Sequence, residues 1–339
     1  MLKKFRFLGI ALVFALAVAL VACGSDDNNN NESSGNNNND SNAAEDDGNT
    51  NDGDASGDIE LGQEELTIAY VAWAGEQART PIIAKVLEKA GYEVEQSVLE
   101  AGPMWQAVAD GSADLTTAAW LPDTHGDYWE QYGDDVDNFA TFIDKAPLAL
   151  TVPTYVVDEY GIESMEDLAD NEEFGEAVDW TITGIDPGAG IMQNTVKALG
   201  AEEGYDLEGA GWTLQESSES AMLAALKDAY DNEEPIIVPG WKPHQMYKEM
   251  DLTMLEDPKE VYGGEGDEIA AVGKASLKED APAAYEIIQR FAEDYNTDIE
   301  NDLLVKINID GEDPEAVADE FLEENQDLVD EWLDGIATE

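Results

Sequence analysis

The feature that most constrains the fold of this sequence is an alternation of strand and helix patterns that occurs twice along the chain. Apolar runs of strand length alternate with segments of helical periodicity. In the first copy, the predicted elements are, in order, 66–72, 76–90, 92–99, 103–110 and 113–119. In the second copy, they are 180–185, 191–199, 212–215, 217–230 and 235–238. Such alternation predicts an α/β fold of mostly parallel sheets flanked by helices.

The two copies also end on the same kind of corner. The first finishes on Trp120-Leu-Pro-Asp-Thr-His125 and the second on Trp241-Lys-Pro-His244, so both histidines of the chain follow a Trp-x-Pro corner. In open α/β sheets, ligands bind outside the carboxyl ends of the strands. Matching corners at the strand ends of two half-domains therefore predict two lobes that share a ligand cleft.

The folded part of the chain, residues 59–339, is longer than one hydrophobic core usually serves, which also favours two lobes. Its end is mainly helical in pattern, and these helices are expected to pack back on the first lobe. They are predicted at 282–295, 298–307, 314–324 and 326–333. The predicted division is lobe 1 at 59–150 plus about 248–339, lobe 2 at about 151–247, and two crossovers at 146–157 and about 247–274. Two crossovers favour a hinge that opens and closes the cleft.

The first residues have the pattern of an export signal. Basic residues near the start are followed by the apolar run 7–19, which is short for a membrane span. Residues 20–24 resemble the lipobox of bacterial lipoproteins, in which cleavage precedes a cysteine that then carries lipid. We predict a lipoprotein signal peptide at 1–22 and lipidation of Cys23, which is the only cysteine of the chain. The alternative is an ordinary signal peptide followed by an incidental cysteine.

A polar segment separates Cys23 from the folded part. Residues 24–58 consist mainly of Asn, Asp, Gly, Ser and Glu, and they lack the apolar residues that a core requires. We therefore predict that 23–58 comprises the lipidated cysteine and a disordered tether. A calcium loop that starts at Asp52 is the less favoured alternative, because Gln63 stands where such a loop carries Glu.

The acidic composition excludes several classes of function. The chain has 16 Lys and Arg against 77 Asp and Glu, which gives a formal net charge of −61. Such a polyanion cannot neutralise phosphates, so nucleic-acid binding and basic-patch attachment to anionic lipid are excluded. A single cysteine excludes an intramolecular disulfide and a cysteine-rich metal site. We interpret the excess of acid as halophilic, an adaptation to a salty exterior.

A glycine-rich turn in the second copy is a candidate anion-binding site. The segment Asp186-Pro-Gly188-Ala-Gly190-Ile191 places two glycines between a predicted strand and a predicted helix. Backbone N–H groups at the start of a helix bind a carboxylate or phosphate without any positive side chain. A glycine turn that binds nothing is the alternative.

Three tryptophans fall where the cleft is predicted. Trp73 follows the first predicted strand, Trp120 the third, and Trp241 the last strand of the second copy. A quaternary ammonium group cannot donate a hydrogen bond, so proteins hold it against ring faces, at about 0.5 to 2 kcal/mol per contact. An aromatic cage together with an anion-binding turn describes a site for a small zwitterion. A less specific solute pocket is the alternative.

At these residues the sequence resembles the glycine betaine-binding lipoproteins of ABC-type compatible-solute importers. The resemblance is nearly chain-wide. It is carried by the motifs Tyr70-Val-Ala-Trp73, Glu100-Ala-Gly-Pro-Met-Trp105, Gly111-Ser-Ala-Asp114, Ala119-Trp-Leu-Pro-Asp-Thr-His125, Gly184-Ile-Asp-Pro-Gly-Ala-Gly-Ile191, Ser220-Ala-Met-Leu-Ala-Ala-Leu226 and Pro239-Gly-Trp-Lys-Pro-His244. It implies a two-lobed periplasmic-binding-protein fold and a receptor that delivers glycine betaine or a related betaine to a permease and its ATPase subunit for osmoprotection.

The resemblance also implies roles for individual residues. In the family, three tryptophans surround the trimethylammonium group, and the matching residues are Trp73, Trp120 and Trp241. Two consecutive backbone amides and a histidine hold the carboxylate, and the matching residues are Gly190, Ile191 and His125. The family resemblance and the lipobox together place the protein on the extracytoplasmic face of the cell membrane, anchored by lipid.

Some relatives carry the two halves in the opposite order, so we interpret this chain as a circular permutation of those, with the site retained. His244 is expected to have a structural role rather than to contact the ligand.

Other functions compete with betaine transport. A choline or carnitine receptor of the same family is the nearest alternative, although choline has no carboxylate and would leave His125 and the glycine turn unused. An enzyme acting on a trimethylammonium compound belongs to another class. The sequence lacks serine-hydrolase, zinc-peptidase and P-loop motifs, and we predict no catalytic residue, metal or cofactor. An acidic surface lipoprotein without a small ligand is the third class.

Overall fold

The computed structural model describes residues 58–337 of the chain. The predicted signal peptide, Cys23 and nearly all of the predicted tether lie outside the described residues. Within 58–337, no helix combines the length and the apolar character that crossing a bilayer requires.

Strands and helices alternate through most of the described chain. The strands are β1 (Glu65–Tyr70), β2 (Glu93–Val98), β3 (Leu115–Leu121), β4 (Val136–Ala146), β5 (Leu148–Pro153), β6 (Thr181–Thr183), β7 (Thr213–Gln215), β8 (Val238–Trp241), β9 (Leu252–Met254) and β10 (Asp267–Lys274). The helices are α1 (Ala74–Ala90), α2 (Ala101–Ala109), α3 (Gly126–Tyr132), α4 (Thr154–Tyr160), α5 (Glu172–Ala177), α6 (Gly190–Leu199), α7 (Leu207–Ala210), α8 (Glu219–Asp231), α9 (Met246–Glu249), α10 (Leu277–Asp280), α11 (Pro282–Asp294), α12 (Thr297–Leu304), α13 (Pro314–Glu324) and α14 (Gln326–Leu333).

A five-stranded sheet organises the first part of the fold, with the strand order β2-β1-β3-β10-β4. Strand β1 is parallel to β2 and β3, whereas β10 is antiparallel to β3 and β4. Every residue of β3 is buried, as expected for a central strand whose two faces are both covered. Helix α11 packs on β4, and α13 packs on α1, so helices from the end of the chain cover this first sheet.

The remaining strands repeat the order of the first sheet. Strand β5 is antiparallel to β8 and β9, and β6 is parallel to β7. The N–H of Thr183 in β6 donates to the carbonyl of Ile237, immediately before β8, at 3.0 Å. The resulting succession β7-β6-β8-β5-β9 corresponds strand for strand to β2-β1-β3-β10-β4. The fold is therefore α/β and built on two lobes, as the sequence predicts.

The prediction of mostly parallel sheets is wrong. Three strand pairings of the described chain are parallel and four are antiparallel. The antiparallel pairings all involve β10 or β5. These two strands are not part of the strand-helix repeat that forms the rest of each sheet. Each of these strands follows another strand rather than a helix, so the pattern used to predict parallel pairing does not include them.

The chain passes from one sheet to the other at Pro147, because β4 ends at Ala146 and β5 begins at Leu148. It returns in the segment 255–266, between β9 and β10. Strand β9 pairs with β5, although the predicted boundary near 248 assigns it to lobe 1. That boundary was placed where the mainly helical last part of the chain begins, whereas sheet membership depends on a hydrogen-bonded partner distant in sequence.

Candidate ligand-binding site

A cavity with about 280 Å³ of atom-free space lies where the carboxyl ends of strands from both sheets meet. Strands β3 and β8 end at its wall, and the residue that precedes helix α1 and the first turn of α6 also line it. Every predicted ligand-binding residue lines this cavity. Its lining comprises Trp73, Trp120, Thr124, His125, Leu148, Ile185, Ala189, Gly190, Ile191 and Trp241.

The three predicted cage tryptophans are almost fully buried around this space. Trp73 immediately precedes α1, Trp120 is the second-to-last residue of β3, and Trp241 is the last residue of β8. Their exposed fractions are 7%, 5% and 5%. Indole rings that border a cavity while remaining buried offer desolvated faces, which is the condition under which contact with a cation is strongest.

Two of the tryptophans are held by contacts with residues outside the cavity lining. The Nε1–H of Trp120 donates to Oε1 of Glu76 at 3.3 Å. The ring of Trp241 meets the edge of the His244 ring, with centroids 4.8 Å apart and an interplanar angle of 88°. His244 is itself fixed, because its Nδ1 accepts from the N–H of Met246 and its Nε2 lies 3.1 Å from Glu219. His244 thus supports Trp241 and is not part of the cavity lining.

His125 has one ring nitrogen with a hydrogen-bond partner and one without among the described residues. Its side chain is fully buried, and its Nδ1 accepts a hydrogen bond from the main-chain N–H of Trp120 at 3.1 Å. An acceptor at Nδ1 places the ring proton on Nε2. Within 58–337 this Nε2 has no hydrogen-bond partner. Burial lowers the pKa of His125 to about 3, so at neutral pH the ring is an uncharged donor.

The glycine turn supplies further donors. Ala189 precedes α6, and the N–H groups of Gly190 and Ile191 belong to the first turn, where a helix offers them no acceptor. Gly190 packs directly on the corner that carries His125, since a Cβ atom at this position would overlap the carbonyl oxygen of Thr124. That packing requires glycine and brings the start of α6 against the corner that follows β3.

Two further contacts fix the turn and the corner. The hydroxyl of Tyr128 donates to the carbonyl of Gly188 at 2.7 Å. The carboxylate of Asp267 accepts from the N–H groups of Asp123 and Thr124 at 2.8 and 2.9 Å. The distance between the glycine turn and His125 is therefore set by both backbone contact and hydrogen bonds.

Four lining residues were not predicted from the sequence: Thr124, Leu148, Ile185 and Ala189. Thr124 and Ala189 each lie next to a predicted site residue in the sequence, and this proximity is the signal that could have identified them. Ile185 ends a predicted strand, where ligands are expected. Leu148 gives no sequence signal, because it reaches the cavity only through the antiparallel pairing of β5 with β8.

The chemistry of the lining is that of a binding site. No Lys or Arg of the described chain lines the cavity, and residues 58–337 contain no cluster of side chains suited to a metal ion. Aromatic rings and neutral N–H donors around one cavity suit a small molecule with a cationic, donor-free end and an anionic end.

Comparisons with known proteins identify the family to which this chain is similar. The family model for the substrate-binding domain of ABC-type glycine betaine transport systems matches residues 64–324. The glycine betaine/carnitine transport binding protein GbuC of Listeria monocytogenes serotype 1/2a (strain 10403S) is 40% identical over 168 residues, which are 49% of this chain and 53% of that protein. The match therefore spans about half the length of this relative.

Two solved structures are similar over most of the chain. Lactococcal OpuAC, in a closed conformation with glycine betaine, is 31% identical with a TM-score of 0.71, covering 80% of this chain and 99% of that chain. An ABC-transporter choline-binding protein in complex with choline is 27% identical with a TM-score of 0.74, covering 81% and 93%. Members of this group are transport receptors and not enzymes. Since the family model covers most of the sequence and the fold agrees, the chain belongs to the substrate-binding domains of ABC-type glycine betaine transport systems.

Proposed function

We propose that the protein binds glycine betaine in this cavity. The trimethylammonium group contacts the faces of Trp73, Trp120 and Trp241, which hold it by cation–π attraction and exclude water. Because such a group offers no N–H, faces of aromatic rings are a better match for it than hydrogen-bond acceptors are. The burial of all three rings beside one cavity supports this half of the proposal.

The carboxylate accepts hydrogen bonds from the Nε2–H of His125 and the N–H groups of Gly190 and Ile191. The observation that carries the proposal is the buried Nε2 of His125, which has no partner among the described residues. A buried donor without an acceptor is costly, by about 1 to 3 kcal/mol, so a carboxylate at this point satisfies a group the protein leaves unsatisfied. Because these donors are uncharged and glycine betaine has no net charge, its binding adds no net charge to the site.

Choline is the second candidate, and carnitine the third. Choline is considered because one of the similar structures is a choline complex. Carnitine is considered because the Listeria relative is named a glycine betaine/carnitine transport binding protein. Choline has a hydroxyl group where glycine betaine has a carboxylate, so it would leave His125 and the amides of α6 largely unused. Carnitine retains a carboxylate but places it farther from the ammonium group than the compact cavity favours. We therefore rank glycine betaine first.

The protein is further proposed to deliver its ligand to a membrane permease with an ATPase subunit, from the extracytoplasmic face of the membrane. Lipid on Cys23 and the tether to residue 58 would keep it there. We propose that the five-stranded sheet forms the core of lobe 1, that β5 to β9 form that of lobe 2, and that Pro147 and 255–266 are the crossovers. Movement at these two crossovers would open the cleft and release the ligand.

Calorimetric titration of the purified protein with glycine betaine, proline betaine, carnitine and choline tests the proposal. We expect saturable one-to-one binding, tightest for a betaine with a carboxylate and weaker for choline. Choline binding tighter than glycine betaine would replace the first candidate by the second. No binding of any of the four would favour an acidic surface lipoprotein without a small ligand, and chemical conversion of a bound ligand would indicate an enzyme.

A further inference from the structure

A buried ionic network lies beside the cage, at the Nε1 edge of Trp120 and outside the cavity lining. It consists of Glu76 and Arg79 on α1 and Glu300 on α12, whose exposed fractions are 1%, 0% and 1%. Arg79 lies 3.1 Å from Oε1 of Glu76 and forms an ion pair with Glu300. Arg79 also donates to the carbonyl of Thr117 on β3 at 2.9 Å, which ties the network to the strand that carries Trp120.

The network reaches the cavity wall through one side chain. Oε1 of Glu76 accepts from both Arg79 and the indole Nε1–H of Trp120. Helix α1, which carries Glu76, begins immediately after Trp73, so two of the three cage rings are connected to the same network. Glu76 does not line the cavity, and any effect it has on a ligand passes through Trp120.

The charges of the network do not balance. Two carboxylates share one guanidinium, so the network carries a net negative charge when both are ionised, and burying such a charge is costly. Burial and, to a lesser extent, Glu300 raise the pKa of Glu76 to about 7, against the opposing effects of Arg79 and Trp120. The remaining titratable group at the network is Tyr295, whose pKa burial also raises.

We propose that Glu76 is a positioning and specificity-determining residue: it fixes the Trp120 ring and places a negative charge at the edge of that ring, which favours a cationic group over an uncharged group of the same shape. The inference rests on the proposed function, because it requires a cation in the cage. A cation bound against the face of Trp120 stabilises ionised Glu76 at the edge of the same ring. Binding near pH 7 therefore releases a fraction of a proton per ligand bound. The affinity for glycine betaine rises as the pH increases through the pKa of Glu76.

The test compares Glu76→Gln with the parent protein, using glycine betaine and its carbon isostere 3,3-dimethylbutanoate, in which a tert-butyl group replaces trimethylammonium. Gln can still accept from Trp120 but carries no charge. We expect Glu76→Gln to weaken glycine betaine binding about tenfold and to change the affinity for the isostere less than about twofold. Glu88→Gln, an exposed position on the same helix, removes the same charge at a distance from the cavity and should leave both affinities unchanged.

Proton release gives a second measurement. Titrations at about pH 7 in buffers of different ionisation enthalpy should show release on betaine binding by the parent protein and by Glu88→Gln, and little or none by Glu76→Gln. If Glu76→Gln does not fold, the pH dependence of glycine betaine affinity in the parent protein still tests the proposal. A constant affinity between about pH 6 and pH 8 would overturn it. Equal losses for the two ligands, or no loss for betaine, would also overturn it. Failure of the parent to bind betaine at all would instead reject the proposed function.

Discussion

The main-chain N–H of Trp120 donates a hydrogen bond of 3.1 Å to Nδ1 of His125. One bond thereby connects the last part of β3, which carries a cage ring, to the side chain expected to hold the other end of the ligand. It also determines the tautomer of His125, because an acceptor at Nδ1 leaves the proton on Nε2. The corner therefore supplies an aromatic face and an oriented neutral donor from residues five positions apart in sequence.

Replacement of each cage tryptophan is the first prediction. Trp73→Ala, Trp120→Ala and Trp241→Ala should each weaken glycine betaine binding about tenfold or more, because a factor of ten is about 1.4 kcal/mol and a desolvated ring contributes at least that. Phe at these positions should restore part of the affinity. Trp180→Ala is the control, since this residue packs on Trp212 outside the cavity. Parental affinity in two of the three cage variants would show that the cage assignment is wrong.

The second prediction concerns His125. His125→Ala should weaken glycine betaine binding about tenfold, as expected for the loss of a hydrogen bond to a charged group, and should scarcely change any binding of choline. Because burial lowers the pKa of His125 to about 3, protonation begins only in strong acid, and raising the pH removes no charge from the ring. Affinity measured by calorimetry should therefore not fall above about pH 8. A steep alkaline loss, or equal losses for betaine and choline, would contradict the assigned role.

The third prediction uses two glycines of the same turn. A Cβ at position 190 would overlap the Thr124 carbonyl, whereas a Cβ at position 188 would meet only the Tyr128 hydroxyl, at 3.8 Å. Gly190→Ala should move the start of α6 away from His125 and weaken betaine binding about tenfold or more, as overpacking of about 1 to 3 kcal/mol implies. Gly188→Ala should bind within about threefold of the parent. Similar affinities for the two variants would show that close packing at Gly190 is not required for binding.

The fourth prediction concerns salt. Like charges interact over a Debye length of about 30 Å at 0.01 M salt but only about 3 Å at 1 M, so a chain with a net charge of −61 should be destabilised in dilute buffer and stabilised by NaCl. The melting temperature should therefore rise with NaCl concentration. Betaine has no net charge, so its affinity for the folded protein should change much less. A melting temperature that is constant or falls with salt would reject the halophilic interpretation without affecting the binding function.

Helix positions near the end of the chain could be predicted well because their signals are local. The predicted helices 314–324 and 326–333 coincide with α13 and α14. Asp313 accepts from the N–H groups of Glu315 and Ala316, which is the capping that Asp before Pro indicates. Strand β8 shows the limit of such signals. The apolar run at 235–238 marks buried residues, but pairing with β5 occurs over Val238–Trp241, so burial alone did not locate the strand.

The sequence by itself determined the alternation that gives an α/β fold, the two tryptophan corners and the glycine turn, because each depends on residues close together in the chain. Tertiary structure alone decided the antiparallel entry of β5 and β10, the place of Leu148 in the cavity wall, and the network that joins Glu76 to Glu300. These features depend on contacts between residues far apart in sequence, where no local periodicity records the partner. The proton on Nε2 of His125 also belongs to this group, because a hydrogen bond made in the folded corner decides which ring nitrogen carries the proton.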